Sequence, residues 1–163
     1  MVASVIATLG GIGHLRPAPG TWGSLVALPL AWALHVAGGF GIFLAATVAV
    51  ALIGWWAVGR VTDGEPEADP AEIIIDELVG QWIALWPVSL GASVAGVPVT
   101  ALWPGVVTAF IAFRLFDIWK PGPVGYADRM AGPAGVMLDD VVAGWIAALI
   151  VAALGVFFHL VLM

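Results

Sequence analysis

The chain alternates long apolar runs with short polar stretches, and the lengths of the runs set its class. Residues 40–58 are almost free of polar groups and, at 1.5 Å per residue, a helix there reaches about 28 Å, enough to cross a hydrocarbon core of about 30 Å. The same pattern predicts four more spans. The first starts from Thr21 or Ser24 as N-cap and ends near Val36; the others cover residues 73–90, residues 99–119, and a last helix opened by Asp139 and Asp140 and apolar to Met163. Gly38-Gly39 is the expected turn between the first two spans, and Arg60 marks the end of the second. Residues 61–72 hold five acids, two prolines and no apolar run, which predicts a solvated loop. Residues 91–98 read as an uncharged turn and residues 120–136 as a polar loop rich in glycine and proline. Residues 1–13 are short, mildly apolar and broken by glycine, with no positive leading region, so an interfacial helix is expected there rather than a cleaved signal. The predicted fold is all-α: one membrane-embedded domain over residues 1–163, a helical bundle of about five spans plus a short N-terminal interfacial helix, without an internal repeat.

Composition agrees with this reading. A hydrophobic fraction of 62%, only 10% charged residues and a mean hydropathy of +1.08 exclude an ordinary soluble domain. Cysteine is absent, which excludes disulfides, thiolate metal sites and a cysteine nucleophile. The 11 acids and 5 bases matter by location. Threaded through five spans, all of them fall at one membrane face or within about a turn of it. Because Lys and Arg in short loops stay inside, Arg16, Arg60, Lys120 and Arg129 place the N-terminus and the charged loops in the cytoplasm and the C-terminus outside. His35 and His159 then lie on the far side. One polar face points to chemistry at the cytoplasmic interface, whereas a transport path would need polar groups at depth.

Asp76 and Glu77 interrupt the run IIIDELVGQWIALW, where a central Asp would cost roughly 2.5–3.5 kcal/mol on insertion scales. The topology brings three carboxylate groups together: Asp76 with Glu77, Asp117, and Asp139 with Asp140. Such oxygen donors suit Mg²⁺ and a phosphate-bearing substrate. Asp139 and Asp140 also fit plain helix capping, a reading that suits Asp76 and Glu77 less because Ile73 to Ile75 precede them. Arg114, Asp117 and Lys120, spaced by three in FRLFDIWKPGP, share a helix face. They can form a salt-bridged helix end, or Arg114, Lys120 and Arg129 can neutralise phosphate oxygens while Asp117 adds a metal ligand. In RPAPGTWGSL, Arg16, Thr21 and Ser24 are further phosphate-binding candidates at a helix start, where ordinary capping also explains the hydroxyls. His14, the one histidine on the charged side, reads as an interfacial residue or else as a proton shuttle or substrate contact. The nine tryptophans are span and belt residues. Nothing points to nucleic acid or to a protein partner.

These residues occur in stretches that resemble the phosphatidylglycerophosphatase A family of bacterial membrane phosphatases: PGTWGSL from Pro19, IIIDELVGQW from Ile73, FRLFDIWKPGP from Phe113 and DRMAGPAGVMLDDVVAG from Asp128. The likeness covers nearly the whole chain, in the family's order and at similar spacing. It implies a Mg²⁺-dependent hydrolase of the bacterial inner membrane that removes the terminal phosphate of phosphatidylglycerophosphate to leave phosphatidylglycerol. It carries over Asp76, Glu77, Arg114, Asp117, Lys120, Asp128, Arg129, Asp139 and Asp140 as functional positions. Pro133, in a stretch where a small residue is expected, and the short N-terminal tail depart from the family pattern and bear on loop geometry.

Other phosphatase chemistries fail on the residues themselves. A Cys-x5-Arg enzyme needs cysteine, the histidine-based lipid phosphatases need two histidines at one site, and no Asp-x-Asp of the haloacid dehalogenase kind occurs. Metal-assisted hydrolysis is left, with either an activated water or a carboxylate such as Asp76 as nucleophile. A cation transporter lined by Asp76 and Glu77 would need polar residues in the outer halves of the spans. A CDP-alcohol phosphatidyltransferase would need a DG-x2-AR-x8-G-x3-D-x3-D pattern, which is missing.

Overall fold

Ile75–Ala95 forms the buried centre of the bundle, and the other long helices pack around it. The computed structural model describes residues 1–63 and 70–162, without the side chain of Leu162, and all the regular structure among them is helical. The order is α1 (Val2–Ala7), a 3₁₀ turn (Ile12–His14), α2 (Pro19–Val61), α3 (Ile75–Ala95), a second 3₁₀ turn (Val99–Leu102), α4 (Trp103–Trp119), α5 (Pro123–Asp128) and α6 (Pro133–Leu162). Proline opens α2, α5 and α6, where its missing N–H costs nothing. Residues 64–69 of the predicted solvated loop lie outside the described residues.

Four helices are long and apolar enough to cross a membrane, which makes this a multi-pass membrane protein with a short N-terminal helix ahead of the first. A continuous α2 of 43 residues would be about 64 Å long, twice the hydrocarbon core. It breaks instead at the expected Gly38-Gly39. Gly39 takes φ 64° and ψ −159°, a conformation essentially reserved for glycine. The chain reverses there. At the start of α3, Gly23 lies against Ile74 and Gly54 against Ile75. At its other end, His35 Nδ1 and Ser89 Oγ are hydrogen-bonded at 2.7 Å and the Phe40 N–H donates to Ser93 Oγ at 3.2 Å. The two arms of α2, residues 19–37 and 40–61, thus run antiparallel along α3.

Apolar surface gains nothing by leaving lipid for protein, so helices here associate through close packing of small residues and through polar contacts. A Cβ on Gly144 would stand 2.4 Å from the Gly80 carbonyl oxygen, and one on Gly80 would meet the Phe113 ring at 2.4 Å and the Asp140 carbonyl at 2.6 Å. The backbones of α3 and α6 therefore touch. Buried indole groups find partners: Trp82 Nε1 donates to the Ala27 carbonyl at 2.9 Å, and Trp86 Nε1 to Thr47 Oγ1 at 3.3 Å. Leu52, Ile111, Ile118 and Leu149 point outward, as lipid-facing side chains do.

Several boundaries differ from the sequence reading. α3 begins at Ile75 rather than 73 and continues to Ala95. Asp76 and Glu77 accordingly sit in its first turn, favoured by the helix dipole, a role the preceding isoleucines had argued against. α6 begins at Pro133, so Asp139 and Asp140 lie in its second turn rather than opening it. Neither Thr21 nor Ser24 caps α2: the N-cap is Ala18, and Ser24 Oγ donates back to the Gly20 carbonyl at 3.1 Å. The polar loop 120–136 contains α5 and the first turn of α6.

Candidate metal and phosphate site

The α3–α6 contact aligns two acidic doublets. Asp76 precedes Gly80 by one helical turn and Asp140 precedes Gly144 by one turn, so the Gly80–Gly144 crossing brings these carboxylates face to face. Asp76, Glu77 and Asp140 each offer an oxygen, and these oxygens all lie within 4.8 Å of one another. The doublets share a local geometry: Asp76 Oδ1 accepts the Glu77 N–H and Asp139 Oδ1 accepts the Asp140 N–H, both at 2.9 Å. Asp76 and Asp140 are only 7% and 3% exposed. Three acidic groups so close in a low-dielectric site repel one another when ionised, and a cation relieves this. Glu77 Oε2 and Asp140 Oδ1 have no hydrogen-bond partner among the described residues. An all-oxygen donor set with unsatisfied atoms and no nitrogen or sulfur suits a hard divalent cation.

Basic residues border this cluster. Arg114 is ion-paired with Asp117 on one face of α4, as their spacing predicts, yet its Nε and Nη1 make no hydrogen bond of good geometry. Asp117 lies within Coulombic range of Glu77 and Asp140 but outside the close trio. Lys120 ends α4 in the left-handed region, at φ 48°. Its Nζ donates to Asp139 Oδ2 at 2.8 Å and to Asp128 Oδ1. Partial burial would lower the Lys120 pKa, but Asp128 and Asp139 outweigh it and hold the ammonium well above its ordinary value. Asp139 is thus balanced by a direct ion pair with Lys120, whereas among the described residues Asp76, Glu77 and Asp140 form no ion pair and have Arg114 only as a neighbour of Glu77.

The family model described as Phosphatidylglycerophosphatase A matches residues 5–155. The chain belongs to the phosphatidylglycerophosphatase A family. A phosphatidylglycerophosphatase A of Haemophilus influenzae is 37% identical over 88% of this chain and 83% of its own. That of Escherichia coli K12 is 33% identical over 89% and 78%. A Bacteroides thetaiotaomicron protein, provisionally named a phosphatidylinositol-3-phosphatase, is 35% identical over 91% and 90%. No solved structure matches the chain. Membership places it among bacterial membrane lipid phosphatases.

The remaining candidate positions spread outward from the carboxylates. Asp128, Arg129, Arg16 and His14 are exposed, and Thr21 is half-buried. His14 lines a separate cavity of about 420 Å³ with Glu72 and Thr8. Ser24 is fully buried, its hydroxyl proton committed to Gly20. Within PGTWGSL, the residue against the site is Gly20: a Cβ there would stand 2.0 Å from Glu77 Oε1 and 3.1 Å from Arg114 Nη1. Sequence reasoning passed over Gly20, Gly80 and Gly144, although for Gly80 and Gly144 the recurrence of glycine four residues after an acid was a usable signal. It also passed over Gln81. That side chain is fully buried one turn beyond Glu77, with neither amide atom hydrogen-bonded among the described residues.

Proposed function

We propose that this protein is a Mg²⁺-dependent phosphatase that hydrolyses phosphatidylglycerophosphate to phosphatidylglycerol and inorganic phosphate in the bacterial inner membrane, with its site at the cytoplasmic face. The observation that carries this reading is the trio of buried Asp76 and Asp140 with half-buried Glu77, beside the unsatisfied donors of Arg114. The trio would hold Mg²⁺, which when bound supplies Lewis-acid polarisation of the phosphoryl group. Arg114 offers planar donors to phosphate oxygens and, held by Asp117, meets them in a fixed orientation. Lys120 neutralises Asp139 and ties α4 to α5 and α6, while exposed Arg129 and Arg16 supply positive charge towards an anionic headgroup. The touching backbones at Gly80 and Gly144 hold the carboxylates in place before substrate arrives.

The same reading gives five spans, the two arms of α2 crossing separately, and an interfacial α1. Among the described residues every Asp, Glu, Lys and Arg lies at the end of the bundle where α3 begins, which by the positive-inside rule is cytoplasmic. Single cysteines at Gly38 and Ala131 should therefore label from opposite sides of the membrane; labelling from one side would break the model. The activity is tested by phosphate release from synthetic phosphatidylglycerophosphate by purified protein, with Mg²⁺ and then with EDTA. The Bacteroides relative favours a second reading, a 3-phosphorylated phosphatidylinositol as substrate. Assay of both lipids side by side decides between them: faster release from the inositol lipid would replace the first reading.

A further inference from the structure

Gln81 carries the only carboxamide side chain in the protein, since the chain holds no asparagine and no other glutamine. It is fully buried, and neither its Nε2 nor its Oε1 has a hydrogen-bond partner among the described residues. In a membrane helix such a group is costly, because neither lipid nor an apolar neighbour can bond it. Leucine or methionine would fill the position at lower cost, so packing alone gives no reason for an amide here.

The helix geometry around Gln81 shows where partners lie. It stands four residues, about 6 Å of helical rise, beyond Glu77, and a helical side chain leans towards the N-terminus of its own helix. Gln81 therefore leans over the turn that carries Glu77. In the other direction the next residues on this face of α3 are Leu85 and Val88, whose side chains offer no polar atom. Gly80 lies against Phe113 and Gly105 against Val88, an antiparallel register that sets Gln81 opposite Ala112, two residues from Arg114 on α4. Because α4 runs the other way, Arg114 leans towards the level of Gln81. Glu77 Oε1 and Arg114 Nη1 both border Gly20, so the three side chains converge on one junction of α2, α3 and α4.

The unpartnered atoms at this junction match in kind. Glu77 Oε2 is an acceptor without a donor, and Arg114, ion-paired with Asp117 through Nη1, keeps a buried Nε without an acceptor. The amide of Gln81 offers one group of each sort, which no carboxylate, ammonium or guanidinium can do. Ser24, the buried hydroxyl on the facing arm of α2, has its proton committed to the Gly20 carbonyl. We propose that Gln81 is a positioning residue: in the occupied site its Nε2 donates to Glu77 Oε2 and its Oε1 accepts from Arg114 Nε. One amide then orients the carboxylate that faces the cation and the guanidinium that faces the phosphate together. The inference rests on the phosphatase reading above and adds to it a residue that acts only through these two.

The test uses the full chain in detergent micelles, isotopically labelled for proton–nitrogen NMR. With a single carboxamide in the chain, the Gln81 side-chain NH₂ gives one pair of resonances that needs no assignment. Addition of Mg²⁺ and inorganic phosphate should move one proton of the pair downfield, in step with Mg²⁺ binding read by calorimetry. Gln81→Met, similar in size but without donor or carbonyl, should bind Mg²⁺ about 10–100-fold more weakly, the usual effect of losing a partner that orients a metal ligand. Its metal-free unfolding midpoint should be at or above that of wild type, since two unsatisfied buried atoms have gone. A residue serving only the fold would do the reverse, with a lower midpoint and unchanged Mg²⁺ affinity. That result, an amide pair that stays in place while Mg²⁺ binds, or a Gln81→Met chain that does not fold would each overturn this inference and leave the phosphatase reading intact. Absence of Mg²⁺ binding by wild type would overturn both.

Discussion

The two ends of α3 handle buried polar groups in opposite ways. At its far end Ser89 pairs with His35 and Ser93 accepts the Phe40 N–H, so the hydroxyl groups there have partners. At its near end Glu77 Oε2, both amide atoms of Gln81, and the facing Asp140 Oδ1 and Arg114 Nε have none among the described residues. An unsatisfied buried polar atom costs about 1–3 kcal/mol, more when charged, so the near end gives up stability that the far end keeps. On the proposed function, the difference marks where a ligand would complete the structure: polar groups that serve only the fold are paired within it, and those left unpaired are the ones assigned to chemistry.

The sharpest way to break this contrast is to change one acid in each doublet. Asp140→Asn removes a member of the trio and should reduce phosphate release at least about a hundredfold, with weaker Mg²⁺ binding by titration calorimetry. Its unfolding midpoint without metal should be no lower than wild type, since one of three mutually repelling carboxylates has gone. Asp139→Asn leaves the trio whole and should cost less activity; an equal or larger loss would place the metal elsewhere. Glycine substitutions come next. Gly144→Ala drives a methyl group into the Gly80 carbonyl and should cost about 1–3 kcal/mol of stability together with activity. Gly39→Ala, at the far turn, should cost about 1–2 kcal/mol in the same unfolding assay through its positive φ, and leave turnover per folded molecule unchanged. Gly20→Ala meets a movable carboxylate rather than backbone, so activity should fall about tenfold, or about 1.4 kcal/mol, with little change in stability.

The smallest effect concerns Lys120, the only lysine in the chain. Its ammonium is held above its ordinary pKa by Asp128 and Asp139, and only the neutral amine reacts with acylating reagents. At pH 9 Lys120 should therefore acylate more slowly than a lysine in a short peptide, and Asp128→Asn should speed it, as read by mass spectrometry. Equal rates would show that the pairing does not persist in solution.

Much of this was legible in the sequence because charge is conspicuous in an apolar chain. Asp76 and Glu77 stood out as the only acids in their run, and the Gly38-Gly39 reversal followed from two glycines between runs of spanning length. The start of α6 was hidden because Gly132, Pro133 and Gly135 read as loop, although proline is well suited to a first helical position. That hid the depth of Asp139 and Asp140 in their helix. Lys120 looked available for phosphate, since nothing local showed that the chain would fold Asp128 back onto it. Gly20 could not be ranked above the other glycines, because its value lies in what approaches it, which is a tertiary fact.

The contact between Gly80 and Gly144 also has a consequence for biogenesis. The acids it brings together are some 60 residues apart in the chain, and at typical bacterial translation rates about 3–12 s separate their emergence from the ribosome. During that interval α3 has Asp76 and Glu77 but not the facing carboxylate, and the nascent chain cannot assemble the three-oxygen cluster. Only when the last helix docks do the parts meet. On the proposed function, an integral enzyme that attacks the lipids around it would thereby be inert throughout its own insertion, and a chain cut short before α6 would enter the membrane without becoming a hydrolase.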